Sequence, residues 1–389
     1  MVPKTNEEAV APKISLGIIA WNEEDSIGDC LKSLFQQSLF QKLRDRRMTC
    51  EIICVANGCT DSTPVVVQKI FDAQTRHHPH RATFTCRVLN LRERGKLNAW
   101  NVFVHKASDP DARFLFLMDG DILVHHRNTL WNMAQALMSD AEAAIAVDLP
   151  RKDISLKPRP TLLEKISLAT SAMTRAGTAQ LTGQLYCIRA NIARNIYLPR
   201  DLGACEDGFI KNLVCTDFLT RRPQPARIKA ARNASHIFEA YSSIKDILKN
   251  QKRQMIGQTI VHLLVDKHLK RLPTADKKNL GEFLRDKDQQ DPDWLKRLIH
   301  KHVRSIRFGW QLYPGIPGHQ FRKLGRMRGL RRIGYFPVAL VGLAVSLVAS
   351  GLAFRALKQG STNYWPDTKS RRLKEHVVSA PSPKALMQT

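Results

Sequence analysis

Two aspartates separated by one glycine, Asp119 and Asp121, close the apolar run "RFLFLMD". Carboxylates so placed are hard oxygen donors. Together with a phosphate-bearing ligand they suit Mg²⁺ or Mn²⁺, ions that usually keep only one or two protein carboxylates. An Asp-rich turn that merely caps a strand gives the same pattern. Three other short polar stretches also follow apolar runs: Asn22 and Glu23, Asn57 to Asp61, and Gly95 to Asn98.

The elements that must position these groups are legible in the periodicity. "KISLGIIAW" reads as a buried strand, and Ile27, Leu31, Leu34 and Phe35 then recur at helical spacing. "EIICVA" is a second strand, followed by a polar turn and the helix "PVVVQKIFDAQ", whose Pro64 suits a first helical turn. "FTCRVLN" is a third strand, "RERGKLNAWNVFVHKA" a loop and a helix, and "RFLFLMD" a fourth strand. Such alternation predicts an α/β fold with a mostly parallel sheet covered on both faces. Ligands of open α/β sheets bind at the carboxyl ends of the strands, where all four polar stretches converge. Beyond residue 150 the pattern predicts a Pro-interrupted loop at "DLPRKDISLKPRP" and a helix over 161–174. "QLTGQLYCIRANIA" reads as a strand pair or a strand joined to a helix, and "ACEDGFIKNLV" as a loop feeding a helix.

Composition sets the context. The 389 residues carry a formal net charge of +26, which implies attraction to polyanions. The basic residues thicken after residue 220 and peak in "HQFRKLGRMRGLRR", immediately before residues 333–354, an uncharged apolar stretch long enough to cross a bilayer as one helix. That placement favours a membrane surface over nucleic acid, for which no zinc-knuckle spacing or RNA-binding strand signature is present. The heavier basic flank, Arg322 to Arg332, predicts a single-pass topology with the large N-terminal part cytoplasmic. The polar N-terminus lacks the apolar core of a signal peptide, and eight scattered cysteines read as free thiols of a reducing compartment.

The order of "IIAWNEEDSIGDCLKSLFQQS", "ANGCTDST", "GKLNAWN", "FLFLMDGDILV" and "ACEDGFIKNLV" resembles that of family 2 glycosyltransferases with the Rossmann-like GT-A fold, and "MDGD" matches their Asp-x-Asp motif. The resemblance covers residues 13 to about 220. It implies a nucleotide-diphosphate sugar as donor, with Ala20, Asn22, Glu23, Asn57 and Asp61 lining the nucleoside pocket and Gly95, Lys96 and Asn98 beside the nucleotide. Asp119 would face the ribose or the metal, and Asp121 would hold Mg²⁺ or Mn²⁺. Glu206 and Asp207 resemble the family's acidic pair, whose aspartate is the base of inverting members. A carboxylate there also suits a helix N-terminus. Thr182 and Gly183, in "LTGQ", resemble the segment near the acceptor, on the same side as Glu206.

Two departures matter. Ala56 stands where many members carry an aspartate, which bears on how the base is read. "NQKRQMIG" has Gln254 and Met255 where processive members have Arg and Trp, which favours transfer of a single sugar; Arg253 there reads as part of a solvated basic helix or as a diphosphate contact. The expected organisation is a disordered 1–12, a catalytic domain 13–235, a basic helical region 236–332, a transmembrane helix 333–354 and a disordered tail 355–389. The expected activity is metal-dependent inverting transfer to a carbohydrate or lipid-linked acceptor. The alternative is a membrane-anchored protein of the same fold that binds nucleotide sugars without catalysis. A nucleotidyltransferase would need a Gly-rich basic loop after the first strand, and "IIAWNEED" offers none.

Overall fold

The computed structural model describes residues 13–362, apart from 162, 163, 166, 169–178, 242, 314, 315, 317–320, 322, 323, 326–331, 334 and 335. The expectations for 1–12 and 363–389, for most of the helix over 161–174 and for most of the basic flank fall outside the described residues.

The four strands read from the sequence are β1 (Lys13–Ala20), β2 (Cys50–Asn57), β3 (Phe84–Leu91) and β4 (Ala112–Asp119). They lie parallel in the order β3-β2-β1-β4. Because β2 and β3 step out to one side of β1 and β4 to the other, the strand order reverses there. A crevice therefore opens at the carboxyl ends of β1 and β4. The connections carry α1 (Ile27–Phe35), α2 (Leu39–Asp45), α3 (Thr63–His77) and α4 (Lys96–Val102).

The other half of the sheet is mixed. β5 (Leu123–Val124) is followed by α5 (Thr129–Met138), β6 (Ile145–Lys152), β7 (Leu185–Arg189), α6 (Glu206–Cys215) and β8 (Ile228–Phe238), and the order continues β7-β6-β8-β5. β7 runs antiparallel to both β4 and β6. The stretch expected to be a Pro-interrupted loop is thus partly strand. β7 pairs with β6 only as far as Val147, so Pro150 needs no N–H on that side. "QLYCIRANIA" resolves as a strand followed by a one-turn helix. β8 runs through the boundary expected at residue 235 and ends at Phe238.

The unbroken apolar character of "FLFLM" has a packing cause. Phe114, Phe116 and Met118 join Ile14, Leu16, Ile18 and residues of α1, α3 and α5 on one face. Leu115 and Leu117 join Val55, Trp100 and Phe103 on the other. Each such fully buried side chain contributes about 1.5–3 kcal/mol. That second cluster continues into the C-terminal helices α7 (Ile244–His262), α8 (Leu280–Gln290) and α9 (Trp294–Ser305) through Ile256, Ile260, Leu284 and Ile299. The last helix, α10 (Phe336–Lys358), begins three residues later than the expected apolar stretch and ends four later. All eight cysteines are free.

Candidate functional site

The crevice is built from loops that hold one another. Asn57, at the end of β2, donates from Nδ2 to the Ala20 carbonyl (3.0 Å) and accepts at Oδ1 from the Gly95 N–H (2.9 Å). One buried amide therefore joins the ends of β1 and β2 to the start of α4. Asn22 adopts a left-handed backbone (φ 53°) and pairs with Thr60, accepting from its N–H at 2.8 Å and donating to its hydroxyl at 2.9 Å. Asp61 accepts from the N–H and hydroxyl of Thr63 and from the Glu24 N–H, and Thr63 Oγ1 in turn accepts from the Glu23 N–H. Ala20, Asn22, Glu23, Asn57, Asp61 and Gly95 thus come together at this end of the sheet. Several of their polar groups spend themselves on shaping the loops.

Gly120 explains why the aspartates are separated by glycine. A Cβ there would lie 3.0 Å from Ile27 and 3.1 Å from Ala20, so any larger residue would push the turn after β4 or these neighbours apart by a few tenths of an ångström. Asp119 and Asp121 then stand at the strand's exit, both half-buried. The Asp119 N–H donates to the Gln184 carbonyl at 2.8 Å, which ties the β4 exit to the "LTGQ" segment.

The centre of the site is a cation between carboxylates. Lys96 Nζ lies 2.7 Å from Asp119 Oδ1 and 3.0 Å from Glu206 Oε1, and it donates to the Gly183 carbonyl at 3.1 Å. Its side chain is 12% exposed and that of Glu206 is 6% exposed, so these charges meet largely out of water. Burial works against the ammonium, but Asp119 and Glu206 outweigh it and raise the Lys96 pKa. Burial pushes the Asp119 carboxyl upward, Lys96 opposes it and Asp121 adds to it; the short contacts to the ammonium favour the ionised form. A Cβ on Gly183 would sit 2.7 Å from Glu206 Oε1, so a larger residue there would displace the carboxylate that meets Lys96. Beneath the lysine, the buried Trp100 indole donates to the Tyr186 hydroxyl at 2.6 Å.

Asp207 follows Glu206 in the first turn of α6. Burial, with the Glu206 charge adding to it, pushes its carboxyl up to about 6, against the Gly208 N–H bond and the charges of Lys96 and Arg253. Arg253 is therefore not part of a solvated helix face: it is half-buried on α7 and its charge reaches Asp207. The same stretch of α7 lies directly against the loop before α6, where a Cβ on Gly257 would lie 2.6 Å from Cys205 Sγ. "NQKRQMIG" thus supports the acidic pair from behind.

Among the described residues, no group of three or more His, Cys, Asp or Glu stands close enough to hold a metal by itself. Two carboxylates at the mouth of a crevice still fit Mg²⁺ or Mn²⁺, since such ions take their remaining ligands from phosphate oxygens and water.

Two features escaped the sequence reading. Arg94 stacks its guanidinium 3.5 Å over the Trp21 ring at the edge of the nucleoside-side loops, signalled only by an aromatic directly after β1. His236 of β8 is fully buried, paired with Asp148 at 2.8 Å and set 3.2 Å from Gln184 Oε1. Nothing in the sequence links those three positions, which come from β6, β7's approach and β8.

Residues 15–190 match the model of Glycosyl transferase family 2. Over that segment the chain carries a family 2 glycosyltransferase domain. Its fold is also that of a Pyrobaculum calidifontis mannosyltransferase solved with GDP-Man and Mn²⁺, at 15% identity over 90% of this chain and 88% of that one, with a TM-score of 0.51. Staphylococcus aureus TarS (residues 1–349) aligns at 16% identity over 90% and 92% with a TM-score of 0.42. Glucosyl-3-phosphoglycerate synthase of Mycobacterium tuberculosis, solved with Mn²⁺, UDP-glucose and phosphoglyceric acid, aligns at 14% over 61% and 74% with a TM-score of 0.38. No curated protein sequence matches the chain. The enzyme thus joins a GT-A-like sheet to a glycosyltransferase motif order.

Proposed function

We propose that the enzyme transfers a single sugar, with inversion, from a nucleotide-diphosphate donor to an acceptor hydroxyl on a carbohydrate or lipid-linked glycan precursor. The observation that carries this reading is the Lys96 bridge. One ammonium touches Asp119 at the exit of β4 and Glu206 beside Asp207, so the donor-side carboxylates and the candidate base share one centre. The Mn²⁺ and GDP-Man held by the similarly folded mannosyltransferase support the donor and metal classes.

In this mechanism Asp207 accepts the acceptor hydroxyl's proton as that oxygen attacks the anomeric carbon and the bond to the diphosphate breaks. An ionised carboxylate is needed, and Arg253 and Lys96 favour that form. Asp121, with Asp119, would hold Mg²⁺ or Mn²⁺. When bound, the metal stabilises the charge that builds on the leaving diphosphate. Lys96 keeps Asp119 and Glu206 in register, and Thr182 and Gly183 border the acceptor side. Asn57, Asn22, Asp61, Glu23, Ala20, Gly95 and Asn98 shape the donor side. The catalytic unit is residues 13–235 extended to the end of β8, followed by the basic helical region and an apolar helix that holds the enzyme to the cytoplasmic face of a membrane.

A thermal-shift screen of nucleotide sugars with and without Mn²⁺ tests the reading. A ligand at a hundredfold excess over its Kd stabilises by about 2.7 kcal/mol. One donor is expected to raise Tm, and only with metal. Stabilisation by no nucleotide sugar would overturn the donor class. Metal-dependent binding without transfer to any glycan acceptor would leave the binding-protein alternative in its place.

A further inference from the structure

The C-terminal helix α10 has two different long faces. Ala339, Ala349, Ser350, Ala353, Ala356 and Leu357 are buried, with Gly342 and Ser346 half-buried in the same stripe, so the packed face repeats at helical spacing from one end to the other. Its partners are α7, α9 and the short turn Gly309–Gln311. Gly309 lies so close that a Cβ would stand 2.8 Å from the Ser350 carbonyl oxygen. Gly342, Ser346 and Ser350, small residues at every fourth position, thus serve packing within the chain. The opposite stripe, Leu340, Val341, Leu347, Val348 and Leu352, is 39–61% exposed and wholly apolar. A helix lying on a protein surface ordinarily turns a polar face outward.

The packing also decides how such a helix can meet lipid. From Ala339 to Leu357 the axis runs about 27 Å, close to the thickness of a hydrocarbon core. Were it to span, α7 and α9 alongside it would enter the bilayer with Lys245, Lys249, Lys252, Lys296, Arg297, Lys301 and Arg304. Charges at that depth are rare and costly. After the helix the chain turns back: Thr362 is buried and donates to Asp201 at 2.9 Å, in the loop that leads to Glu206 and Asp207. Beside Gly309, Phe308 and Trp310 stack at 4.4 Å and remain 43% and 47% exposed, as interfacial aromatics do. Arg307 directly precedes that pair, and the exposed Arg355 and Lys358 lie in the last turn of α10.

We propose that α10 does not cross the membrane but lies in one leaflet of an anionic bilayer, apolar stripe down, with residues 358–362 on the same side as the catalytic sheet. This rests on the membrane association in the functional reading and replaces the single-pass topology with a monotopic one. A second copy of the chain would fit the stripe less well, because its basic edges would face identical charges.

The test uses the full chain. Reconstituted on vesicles containing phosphatidylglycerol, a C-terminal epitope and the catalytic domain are expected to be cleaved together by external protease, with the vesicles intact. Protection of the epitope while the catalytic domain is digested would overturn the proposal. The Val341→Asp/Val348→Asp variant is expected to lower the vesicle-bound fraction on the order of a hundredfold, from lost burial of two side chains. Nucleotide-sugar turnover in detergent should stay at the parent level, which keeps failure of the docking reading separate from failure of the catalytic one. Unchanged vesicle binding, or a detergent-free dimer that this variant dissolves, would also overturn it.

Discussion

The donor-side loops and the Lys96 centre lie within one crevice and solve opposite problems. In the loops, Asn57, Asn22, Asp61 and Thr63 bond to backbone groups and to each other, so their polarity is consumed in fixing shape. At the centre, Lys96, Asp119 and Glu206 are formal charges held together where little water reaches. Neutral amides satisfied by backbone cost little and are locally replaceable. Buried charges are stable only as a set, because removing one leaves another uncompensated. The difference separates residues that shape a site from residues that act in it.

Five substitutions sharpen that contrast, and Lys96→Arg serves as the rescue of one of them. Asp121→Ala is expected to abolish turnover at every Mn²⁺ concentration while leaving Tm near the parent value; activity rescued by excess metal would move the metal role elsewhere. Asp207→Asn is expected to cost roughly 10²–10⁴ in transfer rate, the usual worth of a general base, with donor affinity within about twofold by calorimetry. In the parent enzyme the base works only when ionised, so the rate should fall as pH drops through about 6. Glu206→Gln removes a charge that pushes Asp207 up, so it should shift that limb to lower pH. A limb that stays at the same pH would place the titration on another group.

Lys96→Met leaves two carboxylates facing each other and is expected to destabilise by about 3–5 kcal/mol in denaturant unfolding, with a loss of activity that Lys96→Arg partly restores. Asn57→Ala removes two hydrogen bonds, one of them buried, and should cost about 1–3 kcal/mol. It should weaken donor binding more than kcat, because it loosens the loop and not the chemistry. A fall in kcat alone would blur the distinction between the two regions.

Much of the first half was legible because its signals are local. β1 to β4 and α1, α3 and α4 follow from runs and repeats within ten or so residues, and the glycine between Asp119 and Asp121 marked the strand exit. The second half was not, because its strands are short and mixed in direction. β6 carries a proline tolerated only where β7 stops, and β5 is two residues long. Arg253 illustrates the same limit: a basic helix reads as solvated until its packing is known, and here the side chain is half-buried and its charge reaches Asp207.

By itself the sequence determined the α/β alternation, the polar groups at four strand ends, the Asp-Gly-Asp exit and the apolar length near the C-terminus. These depend on residue type and spacing along the chain. Only the tertiary structure decided that Lys96 joins Asp119 to Glu206 across 110 residues, and that the apolar helix is packed along one face. Both are contacts between distant segments. Ion pairing and the exclusion of water depend on position in space, which spacing along the chain does not encode.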